Sequence, residues 1–304
     1  TLFHSEIVNR ISLKFSEEIN LIGFHGQTIF HDPKNKITKQ LGDGKLLSQL
    51  TKKTVVYDFR KNDLKNDGQG APLTPIFHNL LANLIYKKKK ENFSNFLNIG
   101  GISNVTITVK EKDFSKINIE AFDIGPGNCL IDHWIRNNSN KKFDQGGLIA
   151  KSGKVNELIL NQAIENFKFK SYEESLDIKE FDTSFVRGLS LEDGCATITN
   201  FTAYLIAQGI KFSKEKNKNA SNKYLICGGG RKNHFLIDNI NFYLSDYDNI
   251  ILDSIDDYQL NGDYIESQAF GYLAIRSLLK LPISFPSTTR CKKENTGGIV
   301  VNNF

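Results

Sequence analysis

The chain has 304 residues, 39% of them hydrophobic and 24% charged, with a formal net charge of +5. That is ordinary for a globular protein and long enough for two domains. So small a charge, with lysines spread along the chain, leaves no footprint for nucleic acid, and no apolar run approaches the roughly 18 residues a membrane span needs. The four cysteines (Cys129, Cys195, Cys227, Cys291) include no CxxC pair, which argues against a zinc ribbon or a disulfide framework and fits a reducing compartment. No secretory signal is visible, so a cytoplasmic location is expected.

Apolar runs of strand length alternate with helical patterns and glycine-rich turns, which predicts an α/β fold. LIGFHG (21–26) reads as a buried strand ending in a glycine turn, LLSQL (46–50) as helix and TVVYDF (54–59) as strand. PLTPIFHNLLANLIYKK (72–88) opens on prolines suited to a first helical turn and keeps apolar residues at helical spacing. The basic run from Lys87 to Lys90 reads as the solvated end of that helix. A composition shift there sets a boundary between a first domain (1–94) and a second (95–304). FLNIGGISNVTITV (96–109) predicts a β-hairpin with a glycine-rich tip and INIEAFDI (117–124) a further strand, followed by helices at about 128–137 and 154–166. Residues 166–190 lack a clear period and read as an ordered surface loop of the kind that contacts substrates. A longer helix covers about 192–214, with Asp193 in its first turn. YLICGGG (224–230) is a strand running into three glycines, and 263–280 reads as an amphipathic helix capped by Asp263.

Three glycine clusters end or join strands: Gly100-Gly101, Gly125-Pro126-Gly127 and Gly228-Gly229-Gly230. Glycine lets backbone N–H groups approach a ligand with no Cβ in the way, and loops at the carboxyl ends of strands are where open α/β sheets bind ligands. Such turns, with a helix N-terminus, bind anions, of which nucleotide phosphates are the obvious case. The alternative is that each is simply a tight turn. The common phosphate-loop signatures are absent.

Asp123 ends a strand just before a turn that leads into a helix. It either caps that turn or serves as a general base whose pKa burial would raise. In VVYDFRKNDLKNDGQGAPLTPIFH (55–78), Asp58, Arg60 and Asp63 leave a strand and precede the turn Gly68-Gln69-Gly70-Ala71-Pro72. Arg60 either grips a ligand carboxylate or phosphate, or pairs with Asp58 or Asp63. His25 and His31 lack the helical spacing and the acidic companion of a zinc pair, so no metal site is read there. His25, with Gln27 and Thr28 after it, reads as a ligand contact or a satisfied buried histidine. Glu266 sits among Ile265, Ala269, Phe270 and Leu273 and is expected to be a buried acid that needs a partner or a task.

Taken together, these stretches resemble the anhydro-N-acetylmuramic acid kinases of bacterial peptidoglycan recycling. GFHGQTIFH, QLGDGKLLSQ, VVYDFRKNDLKNDGQGAPLTPIFH, NIGGISNVT, FDIGPGN, DQGG, EDGCATITNFTA, ICGGGRKN and IESQAFGYLA stand in the family's order from about residue 21 to 280. The resemblance implies the two-domain sugar kinase, Hsp70 and actin (ribonuclease H-like) fold, closing over ATP and substrate. It also implies the reaction: water hydrolyses the 1,6-anhydro bridge while O6 accepts the γ-phosphoryl group of ATP, with Mg²⁺ present, giving N-acetylmuramic acid 6-phosphate. The implied partners are the sugar and ATP, with neither nucleic acid nor membrane, in a homodimer. Asp123 then matches the general base. Asn98, Gly100, Gly101 and Asn104, with Gly125, Gly127 and Asn128, match the loops near the phosphates. Gly228, Gly229, Gly230 and Asn233 match the nucleotide-side glycine segment. His25, Gln27, Thr28, Asp58, Arg60 and Glu266 match the sugar side. This division suits phosphoryl transfer, where positioning and charge neutralisation do most of the catalysis.

The sequence departs from the family in one respect. The family opens with a strand and a G-T-S-x-D-G turn, whereas this sequence opens TLFHSEIVNR and contains no methionine. An N-terminally truncated first domain, and a chain weakly active or inactive as it stands, are therefore expected. The ending TTRCKKENTGGIVVNNF also reads as less regular than the family's. Two rival readings stay open: another sugar or carboxylate kinase of the same superfamily, and a non-catalytic nucleotide- or muropeptide-binding remnant.

Overall fold

Both ends of the chain build one unit, Thr1–Asn79 with Glu266–Phe304, while the middle, Leu80–Ile265, builds another. The computed structural model describes every residue except 90–94, 109–116, 168–170, 173, 219 and 248. The architecture is mixed α/β, as the alternation of patterns predicts. Among the described residues no helix is long and apolar enough to cross a membrane.

The first unit begins with α1 (Leu2–Ser12), β1 (Leu21–Phe24), the hairpin of β2 (Gln27–Asp32) and β3 (Ile37–Leu41), α2 (Gly44–Thr51), β4 (Thr54–Tyr57) and α3 (Lys61–Lys65). Strands β1 and β4 pair in parallel, Leu21 opposite Thr54. Val55 and Val56, neighbours that point to opposite faces, are both fully buried, as expected of a strand covered on both sides. Asp43 starts α2 by accepting the N–H groups of Lys45 and Leu46 at 2.9 and 3.0 Å. Helix α4 (Pro75–Lys89) leads out of this unit, with Lys87 and Lys88 exposed at its end; Lys90 lies outside the described residues.

The second unit holds β5 (Asn95–Ile99), β6 (Ile102–Thr108), β7 (Ile119–Pro126), α5 (Cys129–Asn138), α6 (Leu148–Ser152), α7 (Glu157–Asn166), α8 (Leu191–Lys216), β8 (Lys223–Cys227), α9 (His234–Leu244) and β9 (Ile251–Ser254). Its five strands lie in the order β7-β6-β5-β8-β9. The first three form an antiparallel meander, whereas β8 runs parallel to β5 and β9 parallel to β8. Leu97, Ile99, Val105, Ile107, Phe122 and Ile124 of this sheet are buried in one cluster with Ile131 of α5 and Ile206 and Ile210 of α8. Ser190 caps α8 by accepting the Asp193 N–H at 3.0 Å, which sets Asp193 in the first turn. The described part of 166–190 contains short 3-10 turns at Ile178–Glu180 and Ser184–Val186.

The chain then returns through α10 (Ile265–Leu278), α11 (Pro286–Thr289) and β10 (Ile299–Val301). Strand β10 pairs antiparallel with β4, Ile299 opposite Tyr57, and completes the order β1-β4-β10. The expected single boundary at 94/95 thus differs from the observed grouping, because the last strand hydrogen-bonds to one formed some 240 residues earlier. Residue 94 itself lies outside the described residues. The stretch expected to be irregular supplies that strand.

Candidate active site

Registers across four strands of the second unit align Cys227, Asn98, Asn104 and Asp123 in one row. Cys227 lies opposite Asn98, Asn98 opposite Asn104, and Asn104 opposite Asp123. Directly paired residues share a face of the sheet, and at about 4.8 Å per strand the row spans about 14 Å. Asp123 is 8% exposed, and its Oδ2 accepts the Leu176 N–H at 2.9 Å from the loop that follows α7. Asn98 Oδ1 accepts the Cys227 thiol at 3.7 Å. Asn104 Oδ1 is buried without a hydrogen-bond partner, and an orphaned acceptor beside a buried acid is a place for a ligand or water to complete. All four cysteines are buried and free; burial pushes the Cys129 thiol up to about 11 and raises that of Cys195, so neither is a reactive thiolate.

The turn after Asp123 is fastened to the hairpin tip. The N–H groups of Gly127 and Cys129 donate to the Gly101 carbonyl at 2.9 and 3.2 Å, and that of Asn128 donates to Gly100 at 2.7 Å. The first donors of α5 therefore serve the β5–β6 tip, which tells against the expectation that they face an anion.

The predicted glycines separate into two kinds. At Gly127 a Cβ would overlap the Gly100 carbonyl oxygen, and at Gly230 it would overlap Ile99. Gly228 has φ +81°, and a Cβ there would stand 2.6 Å from both Asn98 Oδ1 and the Ile99 carbonyl. These positions require glycine for the fold. At Gly101 the nearest atom to a Cβ is Ile178 Cδ1 at 3.5 Å, and at Gly229 it is Asn128 Nδ2 at 3.7 Å. Both residues are exposed, and the chain itself does not demand glycine at either.

The triple-glycine turn has an anchor that sequence reasoning missed. Arg231, its side chain 3% exposed, donates from Nε to Asp256 Oδ2 at 2.7 Å and from Nη1 to Asp263 Oδ1 at 2.9 Å and to the Gly228 carbonyl at 3.0 Å. Lys232 joins Asp263 at 2.6 Å. Hydrogen bonds from Lys232 and Arg231 hold the Asp263 carboxyl below its usual range. Asp263 therefore belongs to this cluster rather than capping α10, which starts two residues later. Asn233 Oδ1 caps α9 by accepting the Leu236 N–H at 3.0 Å. In the DQGG stretch, Asp144 likewise accepts the N–H groups of Ile149 and Ala150 at 2.8 and 3.0 Å. A cavity of about 400 Å³ opens between Asn128, Asp132, Asp144, Gly229, Lys232 and Asn233. Burial raises the pKa of Asp132 on its wall.

The six residues expected on the sugar side all lie in the first unit. Arg60 donates from Nε to His25 Nε2 at 3.0 Å and from Nη1 to the Gly70 carbonyl at 2.7 Å. With Nε2 accepting, His25 carries its proton on Nδ1, which donates to the Gly26 carbonyl at 2.8 Å. Burial, then the Arg60 charge, lowers the His25 pKa to about 4, so the ring is neutral at physiological pH; it packs on Phe270 with centroids 4.2 Å apart. Asp58 pairs with Lys61 at 2.5 Å, and Thr28 accepts from Gln40 at 3.1 Å. Gln27 is exposed. Glu266 is also exposed, in the first turn of α10, so the expected buried acid is not there: the apolar residues around it in sequence, Ile265, Ala269, Phe270 and Leu273, are buried on another side of the helix. His31 is engaged at both nitrogens, with Thr38 Oγ1 at 3.0 Å and the Gln69 carbonyl at 2.9 Å.

The model of one protein family, described as anhydro-N-acetylmuramic acid kinase, matches residues 3–303. The chain belongs to that family. It is 50% identical over 306 aligned positions to the anhydro-N-acetylmuramic acid kinase of Pelagibacter ubique (strain HTCC1062), covering all of this chain and 80% of that protein. It is 40% identical over 286 positions to the one from Brucella canis, covering 93% of this chain and 74% of that protein. Among solved structures, (R)-2-hydroxyglutaryl-CoA dehydratase component A of Acidaminococcus fermentans aligns at TM-score 0.38 and 13% identity, over 77% of this chain and 82% of that one. The stretches FDIGPGN, NIGGISNVT and ICGGGRKN are the segments that meet in the row and turns described above.

Proposed function

We propose that the chain is an ATP-dependent kinase that opens the 1,6-anhydro ring of 1,6-anhydro-N-acetylmuramic acid and phosphorylates O6, giving N-acetylmuramic acid 6-phosphate in peptidoglycan recycling and amino sugar breakdown. The observation that carries the assignment to particular atoms is the row in which Asp123 is buried, tethered by Leu176 and flanked by the orphaned amide oxygen of Asn104. A tethered carboxylate is oriented to act on one side, as a positioned base requires. Asp123 takes a proton from water, the water oxygen bonds to C1, and the C1–O6 bond breaks. O6 takes the γ-phosphoryl group, and ADP leaves.

ATP fits the cavity beside Gly229 and Asn233, with the open glycines Gly101 and Gly229 admitting its phosphates. Mg²⁺ belongs to the same reading. Asn104 Oδ1, a buried acceptor without a partner, would receive a hydrogen bond from a water on that ion. The ion would neutralise charge on the phosphates. The sheet order, a three-stranded antiparallel meander continued by two parallel strands, supports the ribonuclease H-like superfamily of sugar kinases. A cytoplasmic homodimer completes the reading.

Asp123→Asn tests it: turnover on the anhydro sugar falls by about 10²–10⁴-fold, while ATP affinity stays within about threefold. Turnover retained in that variant would refute the role. Equal turnover of a sugar lacking the anhydro bridge would point to another kinase of the superfamily.

A further inference from the structure

Asp63 is 2% exposed, and among the described residues no cation lies within ion-pair distance of it. A carboxylate so placed needs hydrogen bonds to compensate for lost water. It has them: Oδ2 accepts the Gly70 N–H at 2.7 Å and Oδ1 accepts the Thr289 hydroxyl at 2.7 Å. Gly68 packs so closely on this carboxylate that a Cβ there would stand 2.5 Å from Cγ. The Gln69 N–H donates to the Thr289 carbonyl at 2.7 Å, and the His31 ring meets the Gln69 carbonyl at 2.9 Å. The turn 68–70 is thus held from α11, from β2 and, centrally, from Asp63 at the first helical turn after β4.

What that turn presents is the Gly70 carbonyl, the acceptor for Arg60 Nη1, while Arg60 Nε holds His25. An arginine has many rotamers, and its guanidinium is placed only as well as its acceptors are. We propose that Asp63 is the positioning residue for Arg60: by holding the Gly70 N–H it fixes Gly70, whose carbonyl, in the following peptide, aims the guanidinium and, through it, the His25 ring. The inference rests on the reading that Arg60 and His25 face the sugar. Asp63 touches no reacting atom in this role.

The test compares Asp63→Ala with Asp63→Asn in the full chain. Alanine removes both acceptors. Asparagine keeps one oxygen for the Gly70 N–H, and its amide donates to the Thr289 hydroxyl, which turns its own hydrogen toward the Phe285 carbonyl 3.4 Å away. Two readouts are taken well below the unfolding transition: the KM values for sugar and ATP, and the His25 imidazole titration by NMR. Asp63→Ala is expected to raise the sugar KM about 10–100-fold, leave the ATP KM within about twofold, and lift the His25 pKa from about 4 by about one unit or more, as Arg60 no longer occupies Nε2. Asp63→Asn is expected to restore both. A folded Asp63→Ala protein with lower stability but an unchanged sugar KM and His25 titration would overturn the inference, leaving Asp63 purely structural. If alanine is not tolerated, Thr289→Val beside Asp63→Asn reads the same quantities, with a smaller shift in the same direction expected and no shift overturning the inference. The NMR titration needs no turnover, so a chain inactive on the anhydro sugar would refute the proposed function while the titration still judges Asp63.

Discussion

Adding one methyl group at Gly127, and separately at Gly101, distinguishes two reasons for a glycine that sequence cannot tell apart. At Gly127 a Cβ would overlap the Gly100 carbonyl and stand 3.0 Å from Ser103 Oγ. Relieving that overlap means moving the turn off the hairpin tip, which stretches the bonds from Gly127, Asn128 and Cys129 at 2.9, 2.7 and 3.2 Å. Overpacking costs about 1–3 kcal/mol, and each weakened bond in a buried turn about 1 kcal/mol. Gly127→Ala is therefore expected to lose about 4–6 kcal/mol of stability in urea unfolding, with turnover falling as the adjacent Asp123 shifts. At Gly101 a Cβ meets only Ile178 Cδ1 at 3.5 Å, an ordinary contact, so Gly101→Ala is expected to unfold within about 0.5 kcal/mol of the parent. If Gly101 is small to let a phosphate approach, that variant keeps its stability and loses about tenfold or more in ATP affinity, measured by calorimetry. Unchanged ATP binding in Gly101→Ala would refute the ligand-approach reading. A Gly127→Ala protein as stable as the parent would refute the steric one.

Two further outcomes follow from charge and burial. The pKa values of His25 and His78 are lowered from 6.5 to about 4 and about 3, chiefly by burial, so the unfolded chain binds protons there that the folded chain does not. Their contribution to stability is complete above about pH 6.5 and is lost as pH falls toward 4. The unfolding free energy should fall by up to about 2.7 kcal/mol per pH unit between about pH 6 and 4.5, and His78→Gln should reduce that slope; a flat profile would contradict both assignments. Arg231→Met removes the anchor of the triple-glycine turn. Asp256 and Asp263, 44% and 47% exposed, return to water, so the loss comes mainly from the Gly228 carbonyl and the emptied site, about 2–4 kcal/mol by urea unfolding. A loss under about 1 kcal/mol would mean the turn holds itself.

What was legible in the sequence is what depends on neighbours along the chain. Strands β1 and β4 are apolar runs ending in turns, α8 carries an acid in its first turn, and the hairpin tip declares itself through Gly100-Gly101. The β2–β3 hairpin escaped because it does not alternate between buried and exposed: Ile29 and Phe30, adjacent, are 50% and 41% exposed. Strand β10 has three residues and takes its meaning only from β4. The roles of Asp263 and Arg231 were invisible for the same reason, since the carboxylates that bury the arginine lie 25 and 32 residues further on.

The row containing Asp123 carries this further. Its members sit on four strands and in three sequence motifs, and share no local pattern. They meet because β5 pairs with β6 on one side and β8 on the other, and the register sets Asn98 between Asn104 and Cys227. A one-residue slip in any of these pairings would turn a member to the opposite face of the sheet. The apolar residues that alternate with the row, Leu97, Ile99, Val105, Phe122 and Ile124, resist that slip, since each is at most 2% exposed and would be driven out of the core. The hydrophobic pattern that builds the sheet is thus also what brings the polar residues of the site into line.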